Sequence, residues 1–269
     1  MTNTIKAAAN PALANDLLQK AIADEAPKFE PKVTPPSNTT VELPGGYVTP
    51  TGEVIRDVEV RELNGLDEEA LSKTGTLGKA LMILLQRGVV SVGGQKATDT
   101  ILDAMFAGDR EAIILGILKA TFGDTCNIST YCKGCQDFKT VAVDLNTDIK
   151  YRMLTDPINE AAFIVNGKIG EITVQLPTGV TQKELINNAD KTPAEITTLL
   201  LENTVVKIGS TPVYSKFQVQ NLGVLDRKLI VEELNKRVPG PQFDDVTVEC
   251  SECGSEVSVP IDLGTLFRF

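Results

Sequence analysis

The chain contains no histidine and no tryptophan in 269 residues. Without imidazole there is no Ser-His-Asp triad, no Cys-His nucleophile, no HExxH zinc site and no histidine acid-base step. A carboxylate or lysine enzyme remains possible, but the chain is expected not to be an enzyme. Basic residues are the minority, 26 Lys and Arg against 36 Asp and Glu, for a net charge of −10. Nucleic-acid binders need a positive field along the phosphates. This acidic balance repels phosphate instead. Aromatics are few, with four Tyr and nine Phe, and they do not interleave with basic residues as base-stacking platforms do. No apolar run approaches the roughly 18 residues of a membrane span. Residues 1–14 lack the basic start and apolar stretch of a signal peptide. The five cysteines are therefore expected in a reducing compartment, where disulfides are rare.

Residues 1–43 read as an N-terminal arm. Asn10 before Pro11 is a helix-start signal. Leu13, Leu17, Leu18, Ala21 and Ile22 then recur at helical spacing. The following prolines, Pro27, Pro31, Pro35 and Pro36, favour an extended linker over a continued helix. Such an amphipathic helix either packs on its own domain, docks through Leu13, Leu17, Leu18 and Ile22 on a partner chain, or stays disordered.

Beyond the arm the chain resembles itself. Segment 84–94 (LLQRGVVSVGG) matches 200–210 (LLENTVVKIGS), and Asp109-Arg110 matches Asp226-Arg227. Cys132-x-x-Cys135 matches Cys250-x-x-Cys253, and Val58, Val60, Gly65, Leu66 and Leu71 match Ile172, Val174, Gly179, Val180 and Leu185. The offset grows from 114 (Val58 to Ile172) through 116 (Leu84 to Leu200) and 117 (Asp109 to Asp226) to 118 (Cys132 to Cys250). Ordered matches with so small a drift are what single-residue loop insertions in two copies of one unit produce. The repeats proper run over about 56–149 and 170–267, giving domains 44–149 and 150–269 after the arm.

Each repeat predicts the same elements. An alternating strand, 58–63 or 172–176, is followed by a polar helix start at 67–71 or 181–185. A second helix covers 77–86 or 193–202, and a third starts near Asp109 or Asp226 and stops at Gly123 or Pro239-Gly240. A CxxC between two strands closes each copy, with the leading strands at 127–131 and 245–249. Helices and strands in segregated blocks make an α+β fold.

Two residues between cysteines let one turn aim both sulfurs at a common point, and zinc takes four such ligands at about 2.3 Å. One knuckle supplies two. Each repeat therefore carries half a site. Packing about a pseudo-twofold axis would join Cys132, Cys135, Cys250 and Cys253 around one structural Zn2+ that clamps repeat to repeat. A disulfide or redox CxxC is the alternative, although redox motifs sit at helix starts. Plain buried thiols are the third reading. Cys126 has no counterpart in the second copy and reads as a core thiol, with a fifth ligand as the other option.

Other motifs read as structure. Gly93-Gly94 and Gly209-Ser210 lack phosphate-loop spacing and read as turns. Asp67-Glu68-Glu69 reads as a helix start complementing the macrodipole. Leu43-Pro44-Gly45-Gly46 reads as a turn.

Taken together, Leu43-Pro44-Gly45, Arg61-Glu62-Leu63, Asp67-Glu68-Glu69, Asp109-Arg110, Thr121-Phe122-Gly123-Asp124 and the paired CxxC motifs give a pattern over residues 40–269. That pattern resembles the T-even-type bacteriophage baseplate protein family. The long Ala- and Pro-rich arm has no match there. The resemblance implies a non-enzymatic virion component of the tail baseplate or hub, or a factor for its assembly. Implied partners are other tail and hub proteins, the tape-measure protein among them, with host cytoplasm as the place of assembly. Alternatives are a tail-assembly chaperone outside the virion, a zinc-ribbon regulator binding nucleic acid, and a carboxylate enzyme.

Overall fold

The computed structural model describes Asn15, Gln19 and residues 39–267. The chain divides into Met1–Pro35 and Pro36–Phe269. In the first part Asn15 and Gln19 are helical and exposed, while Leu13, Leu17, Leu18 and Ile22 lie outside the described residues. Residues 39–267 are mixed α/β, with ten helices and several small antiparallel sheets.

The first sheet has the order β1-β2-β3-β4, from β1 (Thr39–Val48), β2 (Val54–Val60), β3 (Val89–Val92) and β4 (Gln95–Lys96). Two helices separate β2 from β3. Asn64 caps α1 (Gly65–Ser72) in a capping box with Asp67, and Thr76 caps α2 (Leu77–Gly88). Gly93 and Gly94, with φ of 56° and 75°, form the two-residue turn of β3–β4, where both central residues need positive φ. Next come α3 (Asp99–Ala104) and α4 (Ala107–Phe122). From Ala107 to Leu118 nearly all of α4 is buried, and its stretch Ala112–Leu118 is apolar on all sides. The hairpin β5 (Thr125–Cys132) and β6 (Asp137–Asp144) ends this half.

A connector of β7 (Lys150–Arg152) and α5 (Pro157–Glu160) leads to a second four-stranded sheet. Its strands are β8 (Ala162–Gly167), β9 (Gly170–Gln175), β10 (Val205–Ile208) and β11 (Thr211–Pro212). Between β9 and β10 stand α6 (Gly179–Asn187) and α7 (Pro193–Thr204). After β11 come α8 (Lys216–Gln220) and α9 (Val224–Arg237), then β12 (Gly240–Gln242), which pairs with β7. The hairpin β13 (Val246–Glu249) and β14 (Glu256–Val259) and the short α10 (Leu263–Leu266) finish the chain. Apart from β12, the element order from β8 to β14 is the order from β1 to β6.

Each half has its own core. Leu43, Val58, Leu84, Ile113 and Ile117 centre the first, which also takes in Val259, Ile261 and Leu266 from the end of the chain. Ile172, Val174, Leu201, Ile230 and Leu234 centre the second. Phe106, Leu154 and Leu176 form a small cluster of their own.

Two local expectations change. Strand β1 begins at Thr39, inside the segment read as linker. Residues 43–46 are not a turn but a register shift within β1, between Glu42 and Tyr47. Proline and glycine are tolerated there because a bulge needs neither a continuous ladder nor a side chain. Gly45 is packed under α4, where a Cβ would come within 2.8 Å of Asp109 Oδ2 and of Pro239.

Asp109 is fully buried and accepts the Gly45 N–H on Oδ1 at 2.5 Å, while Oδ2 has no partner among the described residues. Burial pushes its carboxyl up to about 7, against the backbone N–H groups of Gly45 and Gly46 and the charge of Arg56. In the unfolded chain the same group ionises near 4. Between about pH 4 and 7 the unfolded state therefore loses the proton first, and stability falls as pH rises. Asp109→Asn keeps an acceptor for Gly45 and cannot ionise. Thermal unfolding should find it more stable than the parent at pH 8, by at most about 4 kcal/mol at 1.36 per pKa unit, with the gap closing towards pH 4. Parallel pH profiles for the two proteins would refute the assignment.

Candidate metal centre

The site is built by two hairpins. In β5–β6, Cys132 pairs with Asp137, leaving Lys133–Gln136 as the loop. In β13–β14, Glu249 pairs with Glu256, and Cys250 follows directly. Gln136, just after Cys135, has φ of 56°, and Gly254, just after Cys253, has φ of 71°. The two knuckles thus turn in the same left-handed way one residue past the second cysteine. Within each turn a backbone N–H faces sulfur: Cys135 N–H reaches Cys132 Sγ at 3.5 Å. In the other knuckle the N–H groups of Glu252 and Cys253 hold the Cys250 thiol below its usual range.

All four sulfurs lie within 4.8 Å of one another. Cys132 Sγ is 3.6 Å from Cys253 Sγ, and Cys135 Sγ is 3.6 Å from Cys250 Sγ. Ligands at about 2.3 Å in a tetrahedron stand about 3.8 Å apart. Disulfide sulfurs stand about 2.05 Å apart, and all five cysteines are free. The donor set is therefore shaped for one tetrahedral, thiophilic cation. The Cys253 thiol is pushed down to about 6, first by the Ser255 side chain and backbone, while Cys135 is driven up, first by its contact with Cys253. Four sulfurs this close cannot all ionise unless a cation shares them.

The hairpins hold each other by more than sulfur. Lys139 of β6 reaches Glu252 at 2.7 Å, and Thr130 Oγ1 donates to Ser258 O at 3.2 Å. Cys132, Cys250 and Val257 form a small buried cluster with Val248 against it. Gly134 is needed because a Cβ there would sit 2.7 Å from Cys253 Sγ. Neither Gly134 nor the Lys139–Glu252 bridge carried a sequence signal, since both are defined only by the opposite hairpin. Cys126 stays outside the cluster, paired with Val143 in β5 and packed on the first core.

The twofold relation expected for the whole pair is present at the sulfurs: first cysteine meets second in both pairs, at equal distance. It does not extend to the helices. The corner of α3 and α4 packs on α6, where Gly179 N–H donates to Met105 O at 2.9 Å and Ala107 N–H to Pro177 O at 2.9 Å. The corner of α8 and α9 leaves Val224 and Leu225 exposed.

The other motifs are structural. Asp67 is buried and bridges Arg61 at 2.7 Å and Arg87 at 3.2 Å. Burial opposes its charge, but Arg61, the Asn64 N–H and Arg87 hold its carboxyl below the usual value. Among the described residues no helix is long and apolar enough to cross a membrane. A family model described as T4 bacteriophage base plate protein matches residues 73–267. No curated protein and no solved structure matches.

Proposed function

Because the chain belongs to the T4 bacteriophage base plate protein family, we propose that it is a non-enzymatic component of the tail baseplate or its hub. In this reading it holds neighbouring tail proteins through protein–protein contacts. The family match over residues 73–267 carries the proposal. The absence of histidine and the use of the cysteine cluster as a closed clamp favour a scaffold over a catalyst.

The chain body is, in the same proposal, one unit written twice, residues 44–149 and 150–269. Supporting this are the shared element order, the matched left-handed residues Gln136 and Gly254, and the matched Asp-Arg pairs. Arg110 Nη1 donates to Leu102 O at 2.7 Å and Arg227 Nη1 to Val219 O at 2.9 Å, each to the residue eight positions earlier. Asp109 fastens its helix to β1, and Asp226 fastens its own to the β8–β9 turn through the Lys168 N–H at 2.6 Å. The cation is zinc, held by Cys132, Cys135, Cys250 and Cys253, and it ties the two hairpins. The N-terminal arm reaches a neighbouring tail protein.

Mass spectrometry of purified virions tests the role. The chain should appear in constant ratio to the other baseplate proteins. Its presence in infected lysate together with absence from virions would overturn the virion role and support an assembly factor instead.

A further inference from the structure

Within the chain, the two halves meet in a contact that is not twofold. The α3–α4 corner of the first half receives the start of α6 from the second. Gly179 lies so close that a Cβ would stand 2.7 Å from Leu102 O and 2.8 Å from Asp103 Cα. Arg110 Nε donates to Gln182 Oε1 at 2.8 Å, and Lys183 pairs with Asp103. Ala107 and Gly108, the first residues of α4, are buried by this joint and by β12.

If the halves are copies, as proposed above, the joint has one counterpart surface at each end that the described residues leave uncovered. The first is the α8–α9 corner, the counterpart of α3–α4. Val224 and Leu225 stand where Ala107 and Gly108 stand in the first half, and they are 81% and 73% exposed. Phe217, in α8, is 71% exposed. The second is the start of α1, the counterpart of α6. Gly65 stands where Gly179 stands, and no described residue comes within 4 Å of its Cβ position. An apolar groove of about 620 Å³, lined by Leu63, Leu71, Leu77 and Leu81, opens beside it.

We propose that a second copy of this chain fills these surfaces head to tail, the α8–α9 corner of one copy docking on the α1 face of the next. The chemistry of the inner joint has its counterparts across the outer one. Gly65 can approach as closely as Gly179 does. The Gly65 and Val224 N–H groups are helix-start donors, free to repeat the backbone bonds made by Gly179 and Ala107. Glu68 replaces Gln182 and Arg227 replaces Arg110, so the charge-assisted hydrogen bond of Arg110 to a neutral amide becomes an ion pair. Leu225 replaces Gly108, whose nearest neighbours are Pro239 and Gly240 at the start of β12. The first half has no such insertion, since α4 ends at Phe122 and β5 begins at Thr125. The leucine side chain therefore has room, in the groove beside α1. Continuity with an existing interface, together with apolar exposure where that interface would repeat, is what selects a second copy. A contact of this heterologous kind adds copies in one direction, to a closed ring or an open row.

Sedimentation of the full chain over rising concentration tests this, with Leu225→Asp and Gly65→Trp as one-sided blocks. Both sites are exposed, and unchanged circular dichroism and melting temperature would show that each variant folds. The parent should form multimers. Each variant alone should associate at least tenfold more weakly, and an equal mixture should give a one-to-one dimer, because each supplies the face the other lacks. A parent monomeric up to its solubility limit would overturn the proposal. So would a Gly65→Trp protein that still self-associates, which would mean that the Val224–Leu225 face pairs with itself. The duplication is judged separately: an experimental structure in which residues 54–144 fail to superpose on 170–259 sinks that reading whatever the sedimentation shows.

Discussion

Gly108→Ala is expected to lower the unfolding free energy by about 3 kcal/mol or more, although alanine is the better helix former by about 1 kcal/mol. Gly108 is in the first turn of α4, backbone against backbone with the start of β12. A Cβ there would overlap the Pro239 carbonyl oxygen and lie 2.7 Å from its carbon. No side chain can rotate to relieve that contact, because the obstacle is main chain. Gly240 cannot retreat freely either: its φ is 121°, and its own Cβ position is 2.7 Å from Gly108 Cα. The helix start must move, and with it the buried Asp109 beside Gly45. At roughly 2–4 °C per kcal/mol for a domain of this size, the melting temperature should drop by about 10 °C. Gly65→Ala is the control. It also sits in a first helical turn, but with no described residue near its Cβ position, so it should be neutral or slightly stabilising. A Gly108→Ala protein melting within about 2 °C of the parent would remove this contact from the account of the fold.

What the sequence showed and what it hid have physical reasons. Helix starts were legible because their caps are local: Thr192, Pro193 and Glu195 lie within four positions of each other and form a capping box. The four cysteines were legible because knuckle spacing is local and because the pattern occurs twice. Strands β3 and β10 were not. Each follows a helix with no intervening turn residue, and Val89 and Val205 serve as helix C-caps in extended conformation. A four-residue run with three apolar residues, VVSV or VVKI, reads there equally well as more helix. The bulge in β1 carries the sequence signature of a turn, since Pro44, Gly45 and Gly46 are turn residues by composition. Only the α4 side chain of Asp109 shows why Gly45 must lack a side chain. The twofold axis expected from two copies of one unit is visible at the four sulfurs. Gly65 and Gly179 look alike in sequence, and the burial of one and openness of the other is a property of the packed chain. In sequence Asp67 is one of three acids at a helix start, because Arg61 and Arg87 meet it only after β2 and α2 are in place.

Losing the metal is expected to have the other large effect. Protein purified without chelator should carry about one zinc per chain, and Cys132→Ser or Cys250→Ser should each abolish it, whereas Cys126→Ser should leave it in place. The cost in stability should far exceed that of an ordinary thiol replacement, since structural zinc in small domains is bound with about 10–16 kcal/mol. Its reach follows from the chain path. In hairpin β13–β14, Val257 is buried against the sulfur cluster. Directly after it, Val259, Ile261 and Leu266 enter the core of the first half. Releasing the knuckle therefore loosens the end of the chain from that core, not only the hairpin tip. The double variant Cys132→Ser/Cys250→Ser should melt at nearly the same temperature as either single one, because four ligands act as a unit and the first loss already empties the site. Additive losses would mean that the two cysteines contribute separately as buried thiols. Full metal content in both single variants, or none in the parent, would leave the four sulfurs as a packed cluster without an ion.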